Sequence, residues 1–584
     1  MPKPRLECQR FQSPAAAALS YSGQVDTFRA VLLLLFAAGA FAAAPALPNV
    51  HWVDVAAAAG LTQVVNFGDS AKSSFILEST GVGVALLDYD GDRDLDIFIP
   101  NGVTLMEARS GGGSPSRLYR NEGGLRFDEV GREAGFDRVG WAQGACAGDV
   151  DNDGDVDLFV AYHGPDAFYR NRGGGRFREE AAKAGLDGGD AWSAGCAFLD
   201  YDRDGRLDLF VSRYVDLAFD DMPEPGSSPN CYWKKIPVFC GPRSLPKSTN
   251  ALYRNRGGGK FEDVSAEAGI LAPGGRYGLG VVAADFDNDG WTDLYVACDQ
   301  TPSLLYRNRG DGTFEERGIE AGVAYNFDGV EQAGMGVAVA DYDGNGYLDI
   351  VKTNFEGDLP SLYINEDGQF FEDLALEAGL GANKLLGWGV LFVDADQDAR
   401  PDILMAHGHI YPEVDDYDIG ESYLEKTVFY RNAGDGRFAD RTADAGPALE
   451  TPRPARGMAA GDLDGDGKPE VVIANLHQPP SLLRNGSWSG SWLWLQLEGR
   501  ESNRSAIGAR VEVEADGRRQ IQDVVGGGSY LSQNEFGLHF GLGEAERINR
   551  LTVKWPSGRE DSFADLPSNV RYRLVEGAEP TASP

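Results

Sequence analysis

Asp149-Val-Asp-Asn-Asp-Gly-Asp-Val-Asp157, running on into Leu158-Phe-Val-Ala161, decides the architecture of this chain. Its template, D-x-[DN]-x-[DN]-G-x-x-[DE], recurs seven times in 584 residues, beginning at Asp88, Asp149, Asp200, Asp285, Asp341, Asp394 and Asp462. Carboxylates at alternating positions converge on one point only if a positive charge sits there, and hard oxygen donors suit calcium best. A solvated acidic turn would account for one copy. Seven in register would repel one another without counter-ions.

The expected calcium ligands are Asp88, Asp90, Asp92 and Asp96; Asp149, Asp151, Asp153 and Asp157; Asp200, Asp202, Asp204 and Asp208; and Asp285, Asp287, Asp289 and Asp293. The last three copies supply Asp341, Asp343, Asn345 and Asp349; Asp394, Asp396, Asp398 and Asp402; and Asp462, Asp464, Asp466 and Glu470. An EF-hand loop needs a Glu at its twelfth position. Here that position holds Ile99, Val160, Val211, Val296, Lys352, Met405 and Ile473, which excludes the EF-hand. Short apolar runs flank each loop on both sides, alternating like strands, so each loop joins two adjacent strands. The sixth-position Gly permits the sharp turn. Arg93 and Ala399 replace it in the first and sixth copies, where weaker or distorted sites are expected.

A second motif follows the loops, complete in the first four copies and the sixth: aromatic-Arg-Asn, a Gly-rich turn, Phe, then Ala-Gly, as in Leu118-Tyr-Arg-Asn121 continuing to Phe127. Its Asn recurs in all seven copies, as Asn121, Asn171, Asn255, Asn308, Asn365, Asn432 and Asn485. Asn and Gly tolerate left-handed backbone, which places a hairpin turn here. Each repeat therefore holds four strands, A to D, and four-stranded units repeated radially are propeller blades. The expected fold is all-β: a seven-bladed β-propeller followed by a small β-sandwich-like domain. The last repeat lacks its fourth strand, and Trp52-Val-Asp-Val55 near the start is an orphan fourth strand that would close the ring.

The Asp loops between small-residue strands resemble FG-GAP or VCBS repeats, found in the integrin-like calcium-binding propeller. The C-terminal segment carries Ser505-Ala-Ile-Gly-Ala-Arg-Val511, Gly526-Gly-Gly-Ser-Tyr-Leu-Ser-Gln533, His539-Phe-Gly-Leu-Gly543 and Trp555-Pro-Ser-Gly558. These motifs, in this order, resemble the ASPIC/UnbV domain of the cartilage acidic protein-like family. The resemblance implies a calcium-binding propeller over 49–486 and an ASPIC/UnbV domain over 487–578. A targeting segment over 1–44 and a disordered tail over 579–584 complete the expected organisation.

The net charge of −37 argues against nucleic acid or an anionic membrane as partner, and 76 Gly suit a turn-rich β fold. Ala30 to Ala44 form an apolar run behind Arg29, too short to span a bilayer and ending at Ala40-Phe-Ala42, the pattern of a cleaved signal peptide. The mature chain is expected to carry no membrane span and to be secreted, periplasmic or extracellular, with a cell-surface position open. Cys231 and Cys240, close in sequence within an exported chain, are read as a disulfide, and Cys146, Cys196 and Cys298 as buried thiols.

Three repeats are longer than the rest between the first Asp and the Asn: Asp88 to Asn121, Asp200 to Asn255 and Asp394 to Asn432, against Asp149 to Asn171 in a short copy. All three additions fall between strands B and C. Successive loops of a blade alternate between faces, so the insertions share the face opposite the calcium loops. Loops that vary on a repeated scaffold carry function. The insertions include Tyr232 and Trp233, and His407 and His409 with Asp415 as potential transition-metal donors. Trp141, Trp192 and Tyr277, each ahead of a calcium loop, would approach the channel mouth on the same face, to stack on a ligand or to pack between blades.

No G-x-S-x-G elbow, Walker loop, His-Glu-x-x-His or Cys-x-x-Cys occurs, and no catalytic residue is assigned. The expected function is a secreted, calcium-stabilised binding or scaffold protein recognising an extracellular protein or glycan. The alternatives are an exported polysaccharide-active enzyme, lyase or hydrolase, and a carbohydrate-binding module.

Overall fold

Each Asp loop is a hairpin connection within a four-stranded antiparallel sheet, and the second repeat shows the pattern. Ala142–Gly148, Asp157–Tyr162, Ala167–Asn171 and Phe177–Glu179 pair in chain order as strands A to D. The computed structural model describes residues 50–70, 72–382, 384–486 and 490–583. The expected targeting segment lies outside the described residues. Seven such sheets recur. In the last, Ala455–Gly461, Glu470–Asn475 and Ser481–Asn485 supply A to C, and the N-terminal Trp52–Asp54 supplies D, with Trp52 opposite Asn485 and Asp54 opposite Leu483. The A strands touch one another in chain order, and the seventh, Ala455–Gly461, touches the first, Ala85–Leu87.

The A strands pack backbone to backbone because each carries or follows a Gly at the same level. A methyl group on Gly144 would overlap the carbonyl oxygen of Ala194, and one on Gly336 that of Trp388. The Ala-Gly of the repeat closes a short helical turn after strand D. Gly131–Ala134, for instance, ends on Gly135 at φ 109°, a left-handed cap.

The C-terminal domain is a pair of four-stranded sheets, as expected. One orders Leu538–Gly543, Ser491–Glu498, Val570–Val575 and Thr581–Ser583; the other orders Arg518–Asp523, Arg510–Ala515, Arg547–Lys554 and Glu560–Pro567. Leu495, Val511, Phe540, Leu551 and Leu574 fill the space between them. The expected disordered tail is corrected in part. Thr581–Ser583 pairs antiparallel with Arg571–Arg573, an edge that offers unpaired backbone groups to any chain within reach.

The glycine-rich stretch of this domain enters the propeller. Gly526–Gly527 adds a fifth strand to Gly278–Ala284, and Gln533 bonds both ways with the first A strand region, through Leu86 N to Gln533 O (3.1 Å) and Gln533 N to Val84 O (2.8 Å). Tyr530, fully buried, donates its hydroxyl to Thr80 O (2.9 Å) and meets the Trp388 ring edge-on at 4.7 Å. Its apolar body and satisfied hydroxyl let it sit among aliphatic inner strands.

Candidate functional site

The acidic loops have one construction. The sixth-position N–H donates to the first Asp in every copy: Gly154 to Asp149 (2.8 Å), Gly205 to Asp200 (3.0 Å), Gly290 to Asp285 (2.9 Å), Gly346 to Asp341 (3.0 Å) and Gly467 to Asp462 (2.9 Å). Arg93 and Ala399 do the same at 3.0 and 2.9 Å. They hold the glycine's left-handed backbone, at φ 78° and 66°. The distortion expected of these two copies is therefore absent from the backbone, at a conformational cost of roughly 1–2 kcal/mol each.

The ninth-position acid is buried in all seven copies. It accepts the N–H of the second loop residue, as Asp96 from Tyr89 (3.0 Å) and Glu470 from Leu463 (3.0 Å), and in six copies also the N–H of the repeat Asn. Burial pushes Asp96, Asp157 and Asp293 up to about 8 and Glu470 to about 9. Above them, each loop holds a buried Oδ1 with no hydrogen-bond partner, on Asp90, Asp151, Asp202, Asp285, Asp341, Asp396 and Asp462. A buried carboxylate oxygen left so is costly unless a cation meets it. In the first four copies three carboxylates, such as Asp88, Asp90 and Asp96, bring one oxygen each within 4.8 Å of one another, and further such groups occur among the described residues.

The repeat Asn does more than turn a hairpin. Its Nδ2 reaches the preceding blade: Asn171 bonds Tyr89 O (2.8 Å), Asn255 Val150 O (2.8 Å), Asn308 Tyr201 O (2.8 Å), Asn365 Phe286 O (2.8 Å), Asn432 Tyr342 O (3.3 Å) and Asn485 Ala395 O (2.8 Å). Asn121 completes the series on Leu463 O (2.7 Å) of the seventh repeat. Loop and blade junction are thus one network.

The Arg before that Asn pairs with loop acids, Arg170 with Asp151, Arg254 with Asp202, Arg307 with Asp293 (2.6 Å) and Arg484 with Asp464 (2.8 Å). The fifth copy has Ile364 there, and it also has Asn345 where the others have Asp. Asn345 Nδ2 donates to Asp343 Oδ2 (3.3 Å), so a lost guanidinium is matched by a lost carboxylate.

On the opposite face the insertions fold over the channel. Trp141, Trp192 and Tyr277 are buried among Phe67, Tyr214, Phe239 and Tyr411, which leaves no ring face for a ligand and resolves them as packing residues. Phe67 meets Trp141 at 5.4 Å and Tyr214 meets Trp192 at 5.0 Å, both edge-on. Cys231 and Cys240 form the expected disulfide, and Cys146, Cys196 and Cys298 are buried and free. Between the half-cystines, Tyr232–Trp233 and Ile236–Pro237 make a hairpin. Tyr232 is exposed, while Trp233 donates Nε1–H to Glu421 Oε2 (2.6 Å) and packs on Phe355.

His407, His409 and Asp415 do not converge. His407 is buried against Lys426 O (3.0 Å), with burial lowering it to about 4, and Asp415 accepts the N–H of Tyr423 (3.0 Å). His409, also buried, sets Nε2 at 2.9 Å from Glu356 Oε2 and 3.9 Å from Glu421 Oε2. Glu356 and Glu421 went unforeseen because they come from different loops, and only the folded ring brings those loops together. A cavity of about 540 Å³ between the fifth and sixth acidic loops and the C-terminal domain was equally illegible; Asp341, Asp394, Arg518, Trp494, Glu535 and His539 line it.

Residues 499–581 match the family model described as ASPIC and UnbV, and residues 149–211, 238–296, 285–351 and 419–473 match the FG-GAP-like repeat. The chain is similar to cartilage acidic protein 1 of Homo sapiens, 26% identical over 503 residues, covering 82% of this chain and 69% of that protein. The Mus musculus protein is 25% identical over 505 residues, covering 82% and 70%. Among solved structures, a lectin from Agrocybe aegerita recognising N-acetylglucosamine is 17% identical at TM-score 0.34, covering 61% of this chain and 79% of its own. The BP39L lectin from Burkholderia pseudomallei is 10% identical at TM-score 0.39, covering 68% and 93%.

Proposed function

We propose that this chain of FG-GAP-like repeats and an ASPIC and UnbV domain is an exported, calcium-stabilised binding or scaffold protein. Its partner is an extracellular protein or glycan, met by the insertion face. The observation that carries this reading is the division of labour between faces. The acidic loops all join strands A and B, and the three long insertions all join B and C, at the other ends of the same strands.

The donor set fits a hard cation. It is all oxygen, short of a full shell of protein partners, and built on a backbone that already fixes the first and ninth acids. When bound, calcium would offset part of each cluster's negative charge and draw its carboxylates together. The residues that would hold it are the loop acids with Asn345. The chain's own contribution is to present them: the sixth-position N–H aims the first Asp, and the repeat Asn ties the ninth acid to the neighbouring blade. Metal binding at such a junction stabilises the ring by mass action, since the unfolded chain lacks the site.

Export is supported by the Cys231–Cys240 disulfide. No helix among the described residues is long and apolar enough to cross a membrane.

The test replaces residues 216–247 with a short turn of the length found in the second repeat. Native and shortened chains are screened, with calcium, against arrays of extracellular-matrix proteins and glycans. The reading expects a ligand that the shortened chain no longer retains while its calcium-dependent melting is unchanged. No ligand on either array, or equal retention by both chains, would overturn it.

A further inference from the structure

The disulfide-closed hairpin of the third blade ends in Lys234 and Lys235, both with left-handed backbone, at φ 45° and 76°. Two-residue hairpin turns with positive φ favour Asn-Gly. Lysine at both positions is a departure in a chain with 76 glycines. Lys234 lays its ammonium against Glu421 and 3.6 Å from Glu356 Oε1, with its Nζ 5.4 Å from the centre of the Trp233 ring. Two carboxylates and an indole face are the elements of an ammonium cage.

The floor of this cage is built. The Glu421 side chain is 7% exposed and the His409 side chain 0%, and Trp233 Nε1–H fixes Glu421 from beneath. His409 Nε2 is aimed into the cage at Glu356 Oε2, yet makes no bond of hydrogen-bond geometry with it. Three acidic and imidazole groups invite a metal, but the tautomer opposes it. Tyr411 donates its backbone N–H to His409 Nδ1 (3.0 Å), so Nδ1 carries no proton and the neutral ring carries it on Nε2, the nitrogen a metal would need. Glu356 and Glu421 against Lys234 leave the two carboxylates one charge in excess of the ammonium. Lys234 itself is 47% exposed, so it enters from the solvent side and can be exchanged without opening the core.

We propose that Glu356, Glu421 and Trp233 form a recognition site for a primary ammonium group, filled in cis by Lys234 and exchangeable for an exposed lysine of a partner protein. It rests on the reading of the insertion face as the binding face and narrows the partner to a protein presenting lysine.

The test measures binding of an acetylated, amidated peptide, Gly-Gly-Lys-Gly-Gly, to the full chain in calcium. K234A is expected to bind it about tenfold more tightly than the native chain, by removing the internal competitor. Adding E421Q, or acetylating the peptide's lysine, should abolish the gain. K235A alters the same turn without emptying the cage and should bind as the native chain does, which separates cage occupancy from damage to the hairpin. Equal binding by K234A and the native chain would overturn the proposal. So would stoichiometric Zn²⁺ uptake by the native chain that H409A loses. A shortened insertion that loses its array ligand while K234A changes nothing would refute this proposal and leave the insertion-face reading standing.

Discussion

Glu425 shows what one buried carboxyl does to the stability of the insertion face. It is 7% exposed, and burial, with the charge of Glu356 adding, raises it from the ordinary 4.5 to about 8, against the pull of the Leu386 N–H it accepts (3.1 Å). Between those values the folded chain keeps a proton that the unfolded chain has released. Its contribution is therefore full below about 4.5 and lost as pH rises through about 8. Gln keeps the acceptor and cannot ionise. E425Q should thus gain on the native chain from pH 5 to pH 8, by on the order of 1 kcal/mol per pH unit, in urea unfolding followed at several pH values. Parallel pH profiles for the two chains would contradict the assignment. None of this was legible in the sequence, where Glu425 is one acid among 90 Asp and Glu and nothing nearby marks it as buried.

Between elements, the repeat Asn is the tie. Asn308 holds Tyr201 O and Thr292 O with its amide (2.8 and 3.1 Å) and accepts Gly310 N–H (3.0 Å), joining two blades and a turn. N308A strands two carbonyls and one N–H, and should cost roughly 2–4 kcal/mol in equilibrium unfolding; a change under about 0.5 kcal/mol would show that water replaces the tie. The sequence made the Asn conspicuous by its sevenfold recurrence but explained only the turn, because the second role needs the neighbouring blade in place. The same limit hid the fate of Trp141, Trp192 and Tyr277. Their spacing put them on the correct face, while the insertions that bury them are irregular and follow no period. Strands, by contrast, were readable from alternation and from the loops that bound them, and so was the last repeat's missing strand, which Trp52–Asp54 supplies.

At the scale of the molecule, the seven acidic loops, the Asn ties and the glycine-rich stretch from the C-terminal domain all act on one ring. The docking of that domain could not be read from its motifs, since Tyr530 and Leu531 become core residues only inside the channel. What the repeats did announce was a charge that must be answered. Every loop buries a carboxylate oxygen without a partner, and the fifth copy trades Asp for Asn345 alongside Ile364. A ring joined at such loops should depend on the ion that fills them. Calorimetric melting of the full chain in calcium and after chelation, with magnesium as the control cation, tests this most directly. The expected result is a Tm that keeps climbing with the logarithm of calcium concentration above Kd, the stabilisation following RT ln(1 + [L]/Kd) per site and so worth about 2.7 kcal/mol per site at a hundredfold excess over Kd, which magnesium does not reproduce. An unchanged Tm after chelation, with no calcium retained by the folded chain, would contradict it.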